Sequence, residues 1–124
     1  MKRILFVDDD QMVLDGIRNT MFHFRRKWEM VFANSGESAL RHIAEDPPFD
    51  VIVTDMQMPR VDGLKVVFDA KIHQPRAVCI VLSGYSRYES LSATSVVDAF
   101  LPKPCSRSDL HDTIERLCPS GAKP

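Results

Sequence analysis

The run Ile4-Leu5-Phe6-Val7 passes directly into Asp8-Asp9-Asp10, four apolar residues followed at once by three carboxylates. An apolar run that short and continuous reads as a strand covered on both faces, because a strand with one face in water alternates polar and apolar residues. Four further runs read as strands: Glu29 to Ala33, Val51 to Thr54, Val78 to Leu82 and Val96 to Leu101. The intervening stretches have helical spacing. Val13, Ile17, Met21 and Phe24 recur every three to four residues and form one apolar stripe. Ser35 precedes a second helix with Ala39, Leu40 and Ile43, and Pro47-Pro48 must end it, since proline lacks the amide hydrogen and clashes with the preceding turn. A third helix follows Asp62-Gly63 with Leu64, Val67 and Phe68 and closes at Gln74-Pro75. A fourth, serine-rich and weakly apolar, is expected around Tyr88 to Thr94 and should be the most mobile. The fifth opens at Ser106, has Asp109 in its first turn, and buries Leu110, Ile114 and Leu117 before Pro119. Strands alternating with helices across short connections predict right-handed crossovers and a doubly wound α/β sheet.

At 124 residues the chain has the size of one domain, read as residues 1–118 with 119–124 as a tail or the start of a linker. Sixteen basic against seventeen acidic residues leave a net charge of -1, so no global field draws the chain to nucleic acid or to anionic lipid. Cys79, Cys105 and Cys118 are odd in number, widely spaced and without a histidine partner, which argues against disulfides and zinc and for a reduced cytoplasmic compartment. Four apolar residues before Asp8 are too few for a signal peptide, and the longest apolar stretch, Ala77 to Leu82, is far below the roughly 18 residues that span a bilayer. Function must therefore come from a local site, with no membrane and no direct nucleic-acid partner.

In doubly wound sheets, ligands bind beyond the carboxyl ends of the strands. Those ends carry Asp8, Asp9 and Asp10 after the first strand, Asp55 after the third, Ser83-Gly84 after the fourth and Lys103-Pro104 after the fifth. Taken singly, each has a plain structural reading: Asp10 as a helix cap, Asp55 and Ser83 as turn residues, Lys103 as a solvated strand end. Together they imply a cation. Clustered carboxylates repel by about 4 kcal/mol per pair at 4 Å and an effective dielectric of about 20, and an all-oxygen set suits Mg2+ or Mn2+. The first loop is acidic rather than rich in glycine, serine or threonine, so an arriving phosphate must come with a metal and be accepted by a carboxylate. Asp55, ending a buried strand just before the turn imposed by Met58-Pro59, is the natural acceptor. Lys103 can supply charge to phosphoryl oxygens and Ser83 a hydroxyl donor.

These residues resemble the receiver domain of two-component response regulators over residues 3 to 118. The resemblance is carried by Leu5-Phe6-Val7-Asp8-Asp9-Asp10, Val53-Thr54-Asp55-Met56-Gln57-Met58-Pro59 with Asp62-Gly63, Leu82-Ser83-Gly84, and Phe100-Leu101-Pro102-Lys103-Pro104. It implies a flavodoxin-like (CheY-like) (βα)5 fold with strand order 2-1-3-4-5. It implies that Asp55 accepts phosphate from a histidine kinase or phosphotransfer protein, and that Mg2+ is held by Asp9, Asp55 and the Gln57 carbonyl, with Asp8 helping through water. Ser83 and Phe100 would be the switch pair, the Lys103-Pro104 peptide cis, and the face made by the fourth helix, fifth strand and fifth helix (α4-β5-α5) the surface offered to an output domain or protein. A weak homodimer through that face is also expected of the family.

Ser83 stands where threonine is more frequent, and Phe100 keeps a ring without a hydroxyl. Tyr85 and Gln57 lie where an attacking water would approach, and are expected to set the phosphoryl lifetime. The stretches around Ser83 and Lys103 are similar to receivers preceding HD- or HDOD-type output domains. Two alternatives stand beside this reading. A haloacid-dehalogenase-like phosphatase would use Asp8 as nucleophile, but Met12 replaces the polar residue expected there and no late acidic pair appears. A pseudo-receiver would act only as a scaffold. The basic-aromatic run from Phe22 to Trp28, with Arg25, Arg26 and Lys27, reads as a solvated helix end rather than an RNA contact.

Overall fold

A computed structural model describes residues 1–84 and 96–119. In chain order the elements are β1 (Lys2–Val7), α1 (Gln11–Met21), a 3-10 turn (Phe22–Phe24), β2 (Trp28–Ala33), α2 (Gly36–Glu45), β3 (Val51–Asp55), α3 (Gly63–His73), β4 (Val78–Ser83), β5 (Ala99–Pro102) and α4 (Arg107–Leu117). The five strands form one parallel sheet in the order β2-β1-β3-β4-β5, as the resemblance implied. The helix expected at Tyr88 to Thr94 lies outside the described residues, so α4 here is the helix opened by Ser106.

Alternation along the strands builds two cores. Leu5, Val7, Ile52, Cys79 and Val81 face one way and pack with Ala39, Ile43, Val66, Val67 and Ala70 of α2 and α3. Ile4, Phe6, Val51, Val53, Ile80 and Leu82 face the other way, against Leu14 and Met21 of α1 and Leu110 and Ile114 of α4. Both faces of β1, β3 and β4 are thus covered, which is why their sequences are nearly continuous in apolar residues. Burial of these side chains, each contributing about 1.5–3 kcal/mol, fixes the register that brings the strand ends together.

The expected helix starts have their caps. Asp10 accepts from the Met12 amide, Ser35 from Ser38, Asp62 from Lys65 and Ser106 from Asp109. Several strand ends shift by one or two residues from the sequence reading, and three boundaries differ for reasons the structure shows. The stripe of the first helix does not reach Phe24 in α-helical form: α1 ends at Met21 and the chain tightens into the 3-10 turn. β3 extends one residue beyond Thr54, to include Asp55. The last strand starts at Ala99, not Val96, because Asp98 interrupts it. Its amide donates to the Cys79 carbonyl at 2.8 Å, while its carboxylate accepts from the Cys79 amide at 2.7 Å and from Lys71 at 3.1 Å. Val96 and Val97 still pack on the core without joining the strand. In the basic-aromatic run, Trp28 is buried and Phe24 stacks on His111 at 4.3 Å, which ties the 3-10 turn to α4. Among the described residues no helix is long and apolar enough to cross a membrane.

Candidate metal centre

β1 and β3 are neighbours, paired in parallel through Val7 and Thr54, so the residues that follow emerge side by side. Asp8 is 1% exposed. Its Oδ1 accepts from the Asp10 amide at 2.9 Å, and its Oδ2 faces Lys103 Nζ at 3.2 Å. Asp9 is exposed at the rim, and Asp55 ends β3 as a buried residue. Carboxylate oxygens from Asp8, Asp9 and Asp55 lie within 4.8 Å of one another. Lys103 enters from the loop after β5, and its Nζ is also 3.2 Å from Asp55 Oδ1. Its amide donates to the Ser83 carbonyl at 3.0 Å, which aligns that loop with the end of β4.

One ammonium stands among three carboxylates here and pairs with two of them, Asp8 and Asp55. Burial pushes the Asp55 carboxyl above its ordinary value and the neighbouring charge of Asp8 raises it further, with Lys103 only partly offsetting both. For Lys103, burial works against the charged form, but attraction to Asp55 and Asp8 outweighs it and the ammonium is held above its usual value. A hard divalent cation fits what is left uncompensated. Carboxylate oxygens gathered within 4.8 Å of one another make an all-oxygen donor set of the kind such an ion takes.

The strand-end residues expected at the site thus converge: Asp8, Asp9, Asp55 and Lys103 meet, with Ser83 buried at the adjacent strand end. Gln57 is exposed on the loop leaving β3. Phe100 is half-buried on β5 opposite Val81 and packs on the core shared with α2 and α3. Tyr85 lies outside the described residues. The Lys103-Pro104 peptide is cis.

Sequence reasoning gave Lys103 a role toward phosphoryl oxygens and missed that it also pairs with Asp8. It also missed what shapes the loop after Asp55. Met56 and Met58 are buried, and a Cβ on Gly63 would stand 2.2 Å from the Asp55 carbonyl oxygen. Neither the methionines nor the glycine carries a local pattern that says so. A buried Asp8 also disfavours its use as a nucleophile, since its oxygens are taken by Asp10 and Lys103.

A family model described as the response regulator receiver domain matches residues 4–115. Response regulator MprA of Mycobacterium leprae is 34% identical over 93% of this chain and 50% of its own length. A receiver domain protein from Clostridium thermocellum superposes with a TM-score of 0.84 at 26% identity, covering 95% of this chain and 94% of that one. Response regulator protein TrrA from Thermotoga maritima, in complex with Mg2+–BeF, gives a TM-score of 0.83 at 27% identity over 94% of this chain and 99% of that one. The chain spans only 25% to 50% of the length of MprA and other curated relatives it matches, such as YesN of Bacillus subtilis and AtoC of Escherichia coli.

Proposed function

Because this chain belongs to the response regulator receiver domain family of two-component systems, we propose that Asp55 takes a phosphoryl group from the phosphohistidine of a histidine kinase or phosphotransfer protein. The observation that carries the reading is the meeting of Asp9, Asp55 and Lys103, from three separate strand ends, around one acidic pocket. Asp9, Asp55, the Gln57 carbonyl and, through water, Asp8 would hold Mg2+ or Mn2+, which when bound supplies the charge that lets a phosphoryl group approach three carboxylates. A carboxylate oxygen of Asp55 forms the new P–O bond while the P–N bond to the imidazole breaks. The imidazole leaves with a proton, and Asp55 becomes a mixed anhydride that water later hydrolyses. Lys103 follows the charge as it moves onto the phosphoryl oxygens, and Ser83 donates its hydroxyl to one of them.

That hydroxyl is the start of the switch. Ser83 drawn toward the phosphoryl group leaves space into which Phe100 turns, biasing the face around β5 and α4 toward an output domain or partner protein. Gln57 and Tyr85 govern access of the hydrolytic water. We assign the cytoplasm as the compartment and a weak homodimer through the switch face as the assembly.

Intact mass after incubation with acetyl phosphate and Mg2+ tests the assignment. The native chain gains one phosphoryl group and Asp55→Asn gains none. An adduct that persists in Asp55→Asn, or one lost only in Asp8→Asn, overturns it.

A further inference from the structure

The excursion between β3 and α3 is fixed at both its neck and its tip. At the neck the Gly63 amide donates to the Met56 carbonyl at 2.9 Å. At the tip Arg60 has a φ of 65°, and the Val61 amide donates to the Pro59 carbonyl at 2.7 Å. A three-residue closure around a left-handed L residue is rare and strained, so something must hold it.

The first turn of α2 does so at two consecutive residues. A Cβ on Gly36 would stand 2.2 Å from the Val61 carbonyl oxygen, so the helix reaches the tip only because residue 36 has no side chain. One residue on, Arg60 Nε donates to Glu37 Oε2. The pair is open to water, with the Glu37 side chain 38% and the Arg60 side chain 74% exposed. An exposed ion pair alone contributes little, but this one acts on a backbone conformation the chain would otherwise leave.

We propose that Glu37 and Arg60 are positioning residues for the Asp55 site: their ion pair keeps Arg60 left-handed and so fixes the path of residues 56–62, which carry the Gln57 carbonyl toward the metal. The inference rests on the reading of Asp55, Asp9 and Gln57 as the metal-binding set. Neither residue touches the reacting atoms. Their effect is on the affinity of the site for the cation, and through it on the rate of phosphoryl uptake.

A glycine distinguishes this from a simple surface salt bridge, because glycine takes a φ near 65° without a partner. Mn2+ affinity is measured by titration with free Mn2+ followed by electron paramagnetic resonance, with circular dichroism confirming the fold of each variant. Glu37→Ala is expected to weaken Mn2+ binding about three-fold, the size an exposed pair can supply. Adding Arg60→Gly to Glu37→Ala is expected to restore native affinity. Unchanged affinity in Glu37→Ala, or no recovery on adding Arg60→Gly, overturns the proposal. No Mn2+ binding by the native chain, or full binding by Asp9→Asn, overturns instead the reading of the Asp55 site and takes this proposal with it.

Discussion

The ammonium of Lys103 lies 3.2 Å from Oδ2 of Asp8, a carboxylate 1% exposed and 95 residues away in sequence. The same ammonium lies 3.2 Å from Asp55 Oδ1. Lys103 is therefore shared, and on the proposed reading moving it toward a phosphoryl group on Asp55 would leave Asp8 to be neutralised by a bound cation. Asp8 thus holds the lysine next to Asp55.

Lys103→Met tests this sharing. Removing one partner of a buried pair costs 3–5 kcal/mol, but this lysine is 26% exposed on its side chain, which discounts the loss to about 1–2 kcal/mol. Chemical denaturation should show that drop without Mg2+, and a smaller one with it, because the cation replaces the missing charge. Phosphoryl uptake from acetyl phosphate should fall about 100-fold, the usual cost of losing one preorganised charge donor. An equal drop in stability with and without Mg2+ would show that Lys103 acts only through packing.

Asp55→Asn should stabilise the metal-free protein. Burial and the charge of Asp8 raise the Asp55 carboxyl above its unfolded value. The folded state therefore takes up the proton more readily, and the ionised form is the one penalised by folding. That penalty is fully present above the folded value and disappears as pH falls to the ordinary carboxylate range. Thermal unfolding should then show Asp55→Asn a few degrees above the native chain near pH 7.5, since about 1 kcal/mol moves the midpoint by ~3–6 °C at this size. The difference should close toward pH 4, and Mg2+ should reverse it by binding only the native carboxylate.

Gly63→Ala probes the neck of the same loop. Its new Cβ would meet the Asp55 carbonyl oxygen at 2.2 Å, and backbone on both sides cannot move as a flexible side chain could. The expected cost is about 2–4 kcal/mol in urea titration, at the severe end for single substitutions. Gly16→Ala, with nothing within 4 Å of its Cβ and a place inside α1, should instead gain about 0.5–1 kcal/mol. Equal effects at the two glycines would rule out the close approach.

What the sequence disclosed follows from which forces are local. The strands of the buried sheet were legible because burial on both faces writes a continuous apolar run, and the caps at Asp10, Ser35, Asp62 and Ser106 because each bonds an amide two or three residues away. Four strand-end residues, Asp8, Asp9, Asp55 and Lys103, could be assembled because a parallel sheet puts all carboxyl ends on one edge. The start of β5 was not legible. Val96 and Val97 look like strand residues, and only the fold reveals that Asp98 takes the place of a ladder partner for Cys79. The Glu37–Arg60 pair was equally hidden, since it depends on a backbone angle and on a contact between α2 and a loop 23 residues on.

Asp98 supplies the last prediction, read out at Cys79. This thiol is fully buried, and burial raises it to about 11, with Lys71 opposing and Asp98 adding to the shift. At pH 8 only about one thiol in a thousand is ionised, and none is reachable in the closed sheet. Cys105 and Cys118 are half-buried at the surface, so iodoacetamide should modify these two in the native protein and spare Cys79, with all three reacting in denaturant. Labelling of Cys79 then requires the packing around β4 to open. Asp98 accepts from the Cys79 amide and from Lys71, so Asp98→Ala removes bonds that each contribute about 1 kcal/mol. Peptide mass spectrometry should show Cys79 alkylated at least about five-fold faster in Asp98→Ala, while Cys105 and Cys118 keep their native rates. Equal acceleration at all three thiols would mean global destabilisation, and unchanged Cys79 labelling would mean that Asp98 does not hold β5 to the sheet.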